Sequence, residues 1–573
     1  MRTVRARVTC AAAGLAMATA LVLTGHVHAQ APAGEYDVLI RGGHIVDGTG
    51  NPWYAGDLAI TGDRIAAIGN LSGAHARRVI DASGLTVSPG FIDMLGQSEF
   101  PLLIDRRSLS KLSQGITSEI TGEGQSIAPQ NAVTLAALKP MLDHYHLVVD
   151  WTTLDGYFRR LEHSGTPINI GTYVGAAQVR EAVIGEADRP PTPAELGRME
   201  ALVAQAMKEG ALGVSTALIY PPGHYAKTDE LIALAKVAAQ YGGLYASHMR
   251  SEGQTETAAL DEAIRIGREA KLPVEIFHLK VSGKTRWGSM PQLVARIQAA
   301  RDSGIDIAAD MYPYLAGATA LASCLPPWVA DGGMPKLLQR LHDPAVRARI
   351  KREMAADHPD WENLYFDSGG ASGVLLASVD DPALKQKYEG KTVAEMAAAK
   401  GKDPLDALFD FVIGDQGRTG ALYFLANERD LEYGLKQEWT SIGLDASETS
   451  PDGPLHEAHD HPRAWGSMAR FLGHYVRDRH LVPLADAIRK ITSLPAQREH
   501  LADRGLLKPG SFADITIFNP ATVKDVATYQ QPDQLSTGIE YVFVNGQLSF
   551  AHGQLTGAAA GRPLRGRGWT GGR

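Results

Sequence analysis

Cysteine is almost absent: the 573 residues contain two, Cys10 and Cys324. Positive charge is not in excess, since 56 Lys and Arg face 64 Asp and Glu for a formal net charge of -8. That balance excludes a protein that holds nucleic acid through bulk basicity. No apolar run approaches the roughly 20 residues needed to span a bilayer. Gly and Pro together reach only about 16 %, below the level of low-complexity chains. What remains is the composition of a soluble globular protein, 44 % hydrophobic and 21 % charged, long enough for one large core with appendages or about three ordinary domains.

The first residues read as a leader. Arg2, Arg5 and Arg7 precede an apolar stretch, Cys10 to Leu23, and Val27-His28-Ala29 offers small residues at the offsets for cleavage before Gln30. This predicts a signal peptide over 1–29 and an exported mature chain, periplasmic or secreted. A retained amphipathic anchor is the alternative, and no second membrane signal supports it. Cys10 leaves with the leader, so Cys324 has no intrachain partner and no disulfide forms. Three Arg and no acid leave too, and the mature chain becomes more acidic.

Residues 36–88 alternate in short apolar segments separated by Gly42-Gly43, Asp47-Gly48 and Gly62-Asp63, a hairpin pattern. Ala513–Phe518 and Glu540–Gly546 behave alike. One β-domain assembled from both chain ends is predicted, from 36–88 and 496–560, with two unrelated β appendages as the alternative. Between them, apolar strands alternate with helical periodicity. The candidate strands are Leu85–Asp93, Thr117–Glu123, Pro167–Val174, Ala211–Leu218, Gly243–His248, Pro273–His278, Ile305–Tyr312 and Trp439–Asp445. Eight strands joined by helices predict a (β/α)8 TIM-like barrel over 89–495. The long stretch 320–437 between the seventh and eighth strands carries helical patterns and predicts a helical insertion, a lid by its length.

A barrel of this kind places its chemistry at the C-terminal ends of the strands. Glu123, His248, His278 and Asp445 sit at four such ends. A lone strand-end His is usually a structural residue, but four suitable residues converging on one mouth point to a metal site. Two imidazoles and a carboxylate are a catalytic zinc set, with the fourth position open for water. An acid outside that set can shuttle the proton.

Several motifs then carry a resemblance. Asp37-Val-Leu-Ile-Arg-Gly-Gly-His-Ile-Val-Asp-Gly48, Val87-Ser-Pro-Gly-Phe-Ile-Asp93, Tyr245-Ala-Ser-His-Met-Arg-Ser-Glu-Gly253, Phe277-His-Leu-Lys280, Met311-Tyr-Pro-Tyr314, His461-Pro-Arg-Ala-Trp-Gly466, Ile491-Thr-Ser-Leu-Pro-Ala496 and Lys508-Pro-Gly-Ser-Phe-Ala-Asp514 follow in order along nearly the whole mature chain. On them the chain resembles the amidohydrolase superfamily and its N-acyl-D-amino-acid deacylase (D-aminoacylase) branch. The resemblance implies a barrel with a split β-sandwich and metal-dependent hydrolysis of the amide of an N-acyl amino acid or small peptide-like substrate.

One departure is large. The superfamily carries His-x-His after Gly-Phe-Ile-Asp; here Leu95 and Gln97 stand at those two positions. Leu cannot ligate, and an amide is a poor zinc ligand, so the first metal position is expected to be missing. In Thr121-Gly-Glu-Gly-Gln-Ser-Ile-Ala-Pro129, deleting one residue aligns Glu123 with the branch's Cys ligand. The fourth candidate strand has no Lys to carry a carboxylate bridge. The implied centre is one divalent cation, zinc, on Glu123, His248 and His278, with Glu123 as a loop cap the alternative. Asp445 matches the branch's acid/base, against a structural Asp closing the barrel. Lys280 and Tyr312 resemble the residues that hold the substrate carboxylate. Arg250 either joins them or pairs with Glu252 or Asp310, and Tyr220 lies on a pocket-lining loop. His456, His459 and His461 read as packing groups or supports. The partner implied is a small N-acyl amino acid, with no nucleic acid and no stable membrane span. Hydrolysis of a cyclic amide or dipeptide, or a degenerate barrel that binds without turnover, are the alternatives.

Overall fold

The structure is a computed structural model that describes residues 35–457 and 461–571; the leader expected at 1–29 and His459 lie outside the described residues. β1 (Tyr36–Ile45) is long enough to serve several neighbours. Its register slips between Ile40 and Gly43, where Gly42 takes φ +68°, a conformation that glycine adopts without a Cβ penalty. It runs antiparallel to β2 (Tyr54–Thr61), which pairs in turn with β3 (Arg64–Gly69). Its first half lies parallel to β4 (Ala76–Asp81) and its last residues lie parallel to β5 (Thr86–Pro89).

The barrel strands follow. They are β6 (Phe91–Asp93), β7 (Ile116–Thr121), β8 (Asn169–Thr172), β9 (Val174–Gly175), β10 (Gly213–Ala217), β11 (Leu244–His248), β12 (Val274–Ile276) and β13 (Ile307–Met311). Nearly all their residues are buried, as expected of parallel strands covered on both faces. β6-β7-β8 pair in parallel, and so do β9-β10-β11-β12-β13. Leu212 N donates to Thr172 O at 3.0 Å, joining the two sheets.

β14 (Gly317–Ala320), β15 (Val374–Leu376) and β16 (Gly420–Tyr423) form an antiparallel sheet inside the insertion. The insertion is therefore not purely helical, although Met334–Leu341, Pro344–Met354, Val393–Lys400 and Pro404–Gly414 are helices. Its strands are only three or four residues long, two of them opening on Gly-Ala, too short to show the alternation by which a strand is recognised. It has its own apolar core, including Val329, Leu337, Ile350, Val374, Leu408 and Phe411.

β17 (Thr440–Ile442) pairs in parallel with β13. Closure onto β6 follows from Met94 N to Ile442 O at 3.2 Å, Asp445 N to Leu95 O at 2.6 Å and a parallel bridge between Gly96 and Ala446. All these strands run the same way, so their C-terminal ends share one mouth. The chain then returns to the first sheet as β18 (Ile515–Phe518), β19 (Ile539–Val544), β20 (Gln547–Ala551) and β21 (Gln554–Leu555). β18 lies antiparallel to β5, so nine strands from both ends of the chain form one continuous sheet. Val38, Leu58, Val87, Ile515 and Phe543 are part of its core. Among the described residues no helix is long and apolar enough to cross a membrane.

Candidate active site

Glu123 is presented on a tight Gly122-Glu123-Gly124 turn just past β7. Both glycines have positive φ, +92° and +69°, and a Cβ on Gly124 would come 2.5 Å from Ala217 N. Only a residue without a side chain lets the turn lie this close to β10. His248 ends β11 and His278 follows β12. Glu123 Oε1 lies 2.8 Å from His248 Nδ1 and 3.0 Å from His278 Nε2. One ligand atom from each of the three falls within 4.8 Å of the others. Glu123 therefore reaches the two imidazoles, as a ligand would, and its side-chain hydrogen bonds do not cap the loop.

His278 takes φ +37° and Asp445 φ +51°. Non-glycine residues in this region cost about 1–3 kcal/mol each and persist where the surroundings over-determine them. His278 N donates to the buried Asp310 carboxylate at 3.0 Å, and Asp445 N donates to Leu95 O. Both side chains are thus aimed by strained backbone pinned to neighbouring strands.

The electrostatics form one chain of pairs. Burial pushes the Glu123 carboxyl up, but hydrogen bonds to His248 and His278 outweigh it and leave it well below the ordinary range. Burial and Lys280 push His278 down, yet Glu252 and Glu123 carry it well above the usual imidazole value. Glu252 lies 2.9 Å from His278 Nδ1 and accepts from Lys280 Nζ at 2.7 and 2.8 Å. The Asp445 carboxyl is raised by burial, against the lowering charge of Arg463; Arg463 Nη1 stands 2.8 Å from Asp445 Oδ2.

A zinc ion fits this donor set. Carboxylate oxygen and imidazole nitrogen are its ordinary ligands. His248 Nε2 is buried with no hydrogen-bond partner among the described residues. The protons shared between Glu123 and the imidazoles are those that a bound cation displaces.

The remaining expected site residues divide. Lys280 and Tyr312 reach the site, with Lys280 Nζ 5.4 Å from the Tyr312 ring centroid, but the ammonium is already matched by Glu252. Tyr220 stands edge-on to the His248 ring, centroids 5.3 Å apart. Arg250 is corrected: its guanidinium pairs with Glu262 at 2.8 and 2.9 Å and donates to the carbonyls of His224 and Ala226. Its carboxylate partner is neither Glu252 nor Asp310, because the helix Glu256–Ala270 brings Glu262 back to the strand end. His461 is buried, accepting from Arg463 N through Nδ1 and lying 3.0 Å from Ala316 O through Nε2, while His456 is exposed with Asp533 at 3.8 Å.

Two residues were missed as contributors. Arg463 sits in a motif but carried no role; its Cζ is 4.7 Å from the Tyr312 ring centroid, its Nη1 pairs with Asp445, and its buried Nε has no hydrogen-bond partner among the described residues. Gln97 counted only as a lost ligand; its Nε2 donates to Glu123 Oε2 at 2.7 Å and lies 3.4 Å from Asp445 Oδ1. Gln97 lies just past β6, where the strand-end rule could have weighed it as a donor; Arg463 opens the helix Arg463–Arg470, well beyond β17, and only its motif marked it.

Residues 78–550 match the model of the Amidohydrolase family. The chain is 35 % identical over 539 residues to the D-aminoacylase of Alcaligenes xylosoxydans xylosoxydans, covering 93 % of this chain and 99 % of that one. The crystal structure of N-acyl-D-glutamate deacylase from Bordetella bronchiseptica, complexed with zinc and a phosphonate mimic of the tetrahedral intermediate, superposes with TM-score 0.78 at 32 % identity over 93 % of this chain and all of that one. A D-aminoacylase structure described in terms of a binuclear metal centre, with one-metal activation and second-metal attenuation, superposes with TM-score 0.76 at 35 % identity over 92 % and 100 %. Matched over most of its length in both sequence and structure, the chain belongs to the Amidohydrolase family.

Proposed function

We propose that this chain hydrolyses the amide bond of N-acyl-D-amino acids, using one divalent metal ion, zinc, held by Glu123, His248 and His278. The observation that carries the reading is the convergence of these three donors with the Asp445 carboxylate at one barrel mouth, in a chain similar end to end to deacylases of such substrates. A bound divalent ion supplies Lewis acidity, polarising the acyl carbonyl and making water a stronger acid.

The protein's own groups do the rest. Asp445, with a carboxyl raised by burial, takes the proton of the attacking water and returns it to the amine, which must be protonated before it can leave. Arg463 holds one oxygen of Asp445 and keeps its Nε–H without a partner among the described residues, beside Tyr312. With Lys280 it makes the Tyr312 side of the site the cationic side, suited to the substrate carboxylate. Tyr220 packs against His248 and fixes that ring.

Export to the periplasm or beyond, after cleavage near Ala29, completes the proposal; the Arg2–Arg7 and Cys10–Leu23 pattern supports it. The test is release of free amine by the purified mature chain from paired N-acetyl-D- and N-acetyl-L-amino acids, with a hydantoin as the cyclic-amide arm. Turnover of D-substrates, lost on chelation and restored by zinc, is expected. Preference for the hydantoin, or no turnover with zinc bound, overturns the reading.

A further inference from the structure

Glu123 Oε2 and Asp445 Oδ1 are served by a single nitrogen, Gln97 Nε2, at 2.7 and 3.4 Å. These two facing oxygens have no other donor among the described residues, and negative oxygens so placed repel. They need a hydrogen-bond donor or a cation between them. Their other oxygens are engaged elsewhere, Glu123 Oε1 with the imidazoles and Asp445 Oδ2 with Arg463. The amide that fills the gap is fixed by the barrel itself. Gln97 N donates to Ala446 O at 3.3 Å, and Ser447 Oγ donates to Gln97 O at 3.0 Å, so its backbone is tied to the residues following Asp445.

We propose that Gln97 is a positioning residue: its neutral carboxamide fills the place between Glu123 and Asp445 that a second cation would otherwise take, and holds the acid/base carboxylate in fixed relation to the metal ligand. The inference rests on the roles given above to Glu123 and Asp445 and goes beyond them in assigning why the centre holds one ion. A carboxamide brings two N–H donors and no charge. It satisfies both acids without drawing Glu123 Oε2 away toward a second metal.

The experiment compares the full chain with Gln97→Glu and Gln97→Leu variants, counting zinc by atomic emission after dialysis against micromolar zinc and measuring kcat and KM separately. The wild type holds one equivalent. Gln97→Glu sets three carboxylates together and holds two. Gln97→Leu keeps one equivalent but loses about 10–100-fold in kcat, the usual size for a group that orients a metal site from outside its ligand set, with KM little changed because the amide N–H groups are spent on Glu123 and Asp445. Two tightly held ions in the wild type overturn the inference, as does a single ion in Gln97→Glu or an unaltered kcat in Gln97→Leu. Should Gln97→Leu not fold, the other two counts decide. A wild type that holds one zinc yet hydrolyses no N-acyl-D-amino acid overturns the deacylase reading instead, and the zinc counts still decide Gln97.

Discussion

β7 and the turn after it hold two glutamates four residues apart that meet opposite fates. Glu119, inside the strand, belongs to a cluster built round a lysine: Lys111 Nζ donates to Asp93 Oδ2 at 2.7 Å and lies 3.5 Å from Glu119 Oε2, with all three side chains at 0 % exposure. Glu123 belongs to a cluster of imidazoles, nitrogen donors that can bind a metal ion. Burial raises the Glu119 carboxyl despite Lys111, whereas Glu123 is held well below the ordinary range. The first cluster contains its cation covalently, as a lysine. The second presents only donor atoms, one from each of three residues within 4.8 Å of one another. One is architecture and the other chemistry, built from the same residue type on the same stretch of chain.

The sharpest way to break this contrast is to remove an imidazole. His248→Ala or His278→Ala loses zinc and turnover together, by at least the order of 10²–10³ seen when a charge-stabilising group is removed; zinc content and rate measured on one sample check it. A variant that loses rate but keeps its zinc contradicts the ligand role. Asp445→Asn separates proton transfer from binding: zinc stays at one equivalent while kcat falls about 10²–10⁴-fold, and full activity there removes the acid/base assignment. Lys111→Met attacks the other cluster. Stripping a buried pair of one partner costs about 3–5 kcal/mol, read as a lower denaturation midpoint, with zinc stoichiometry unchanged in the folded fraction.

The smallest effect is a pH slope. Beside the Lys111 cluster, Glu99 is raised by burial from its usual 4.5 to about 7. Between those values the folded chain keeps a proton that the unfolded chain has released, so this group's contribution to stability falls as pH rises from 4.5 to 7. Glu99→Gln should flatten that part of the stability curve, and an unchanged slope in chemical denaturation would refute the assignment.

Much of this was legible in the sequence because parallel strands buried on both faces read as short apolar runs with turn residues between them, and a barrel puts whatever follows each run at one mouth. Glu123, His248, His278 and Asp445 could be gathered from that rule alone. Gln97 to Glu123 and Arg463 to Asp445 could not. Gln97 and Glu123 follow different strands and Arg463 opens the helix Arg463–Arg470, so only the closed barrel decides which of them meet. The partner of Arg250 was misread because Glu262, nearly two turns into the helix Glu256–Ala270, reaches back to the guanidinium, a contact that sequence spacing from the strand end does not reveal. The sheet in the insertion escaped because Gly317-Ala-Thr-Ala320 has no side chains large enough to reveal which face is buried.

The continuous nine-stranded sheet has a consequence for the order of synthesis. β5 is made when residue 89 leaves the ribosome, but its antiparallel partner β18 begins at residue 515. More than 400 residues must be polymerised before the first sheet has its full complement of strands. Contacts so far apart in sequence close slowly, after local ones. The emerging N-terminal strands must wait with unpaired edges, the condition in which nascent chains aggregate. The barrel units between them can assemble in turn as they appear, so the last event in maturation should be the docking of the tail strands onto the strands made first.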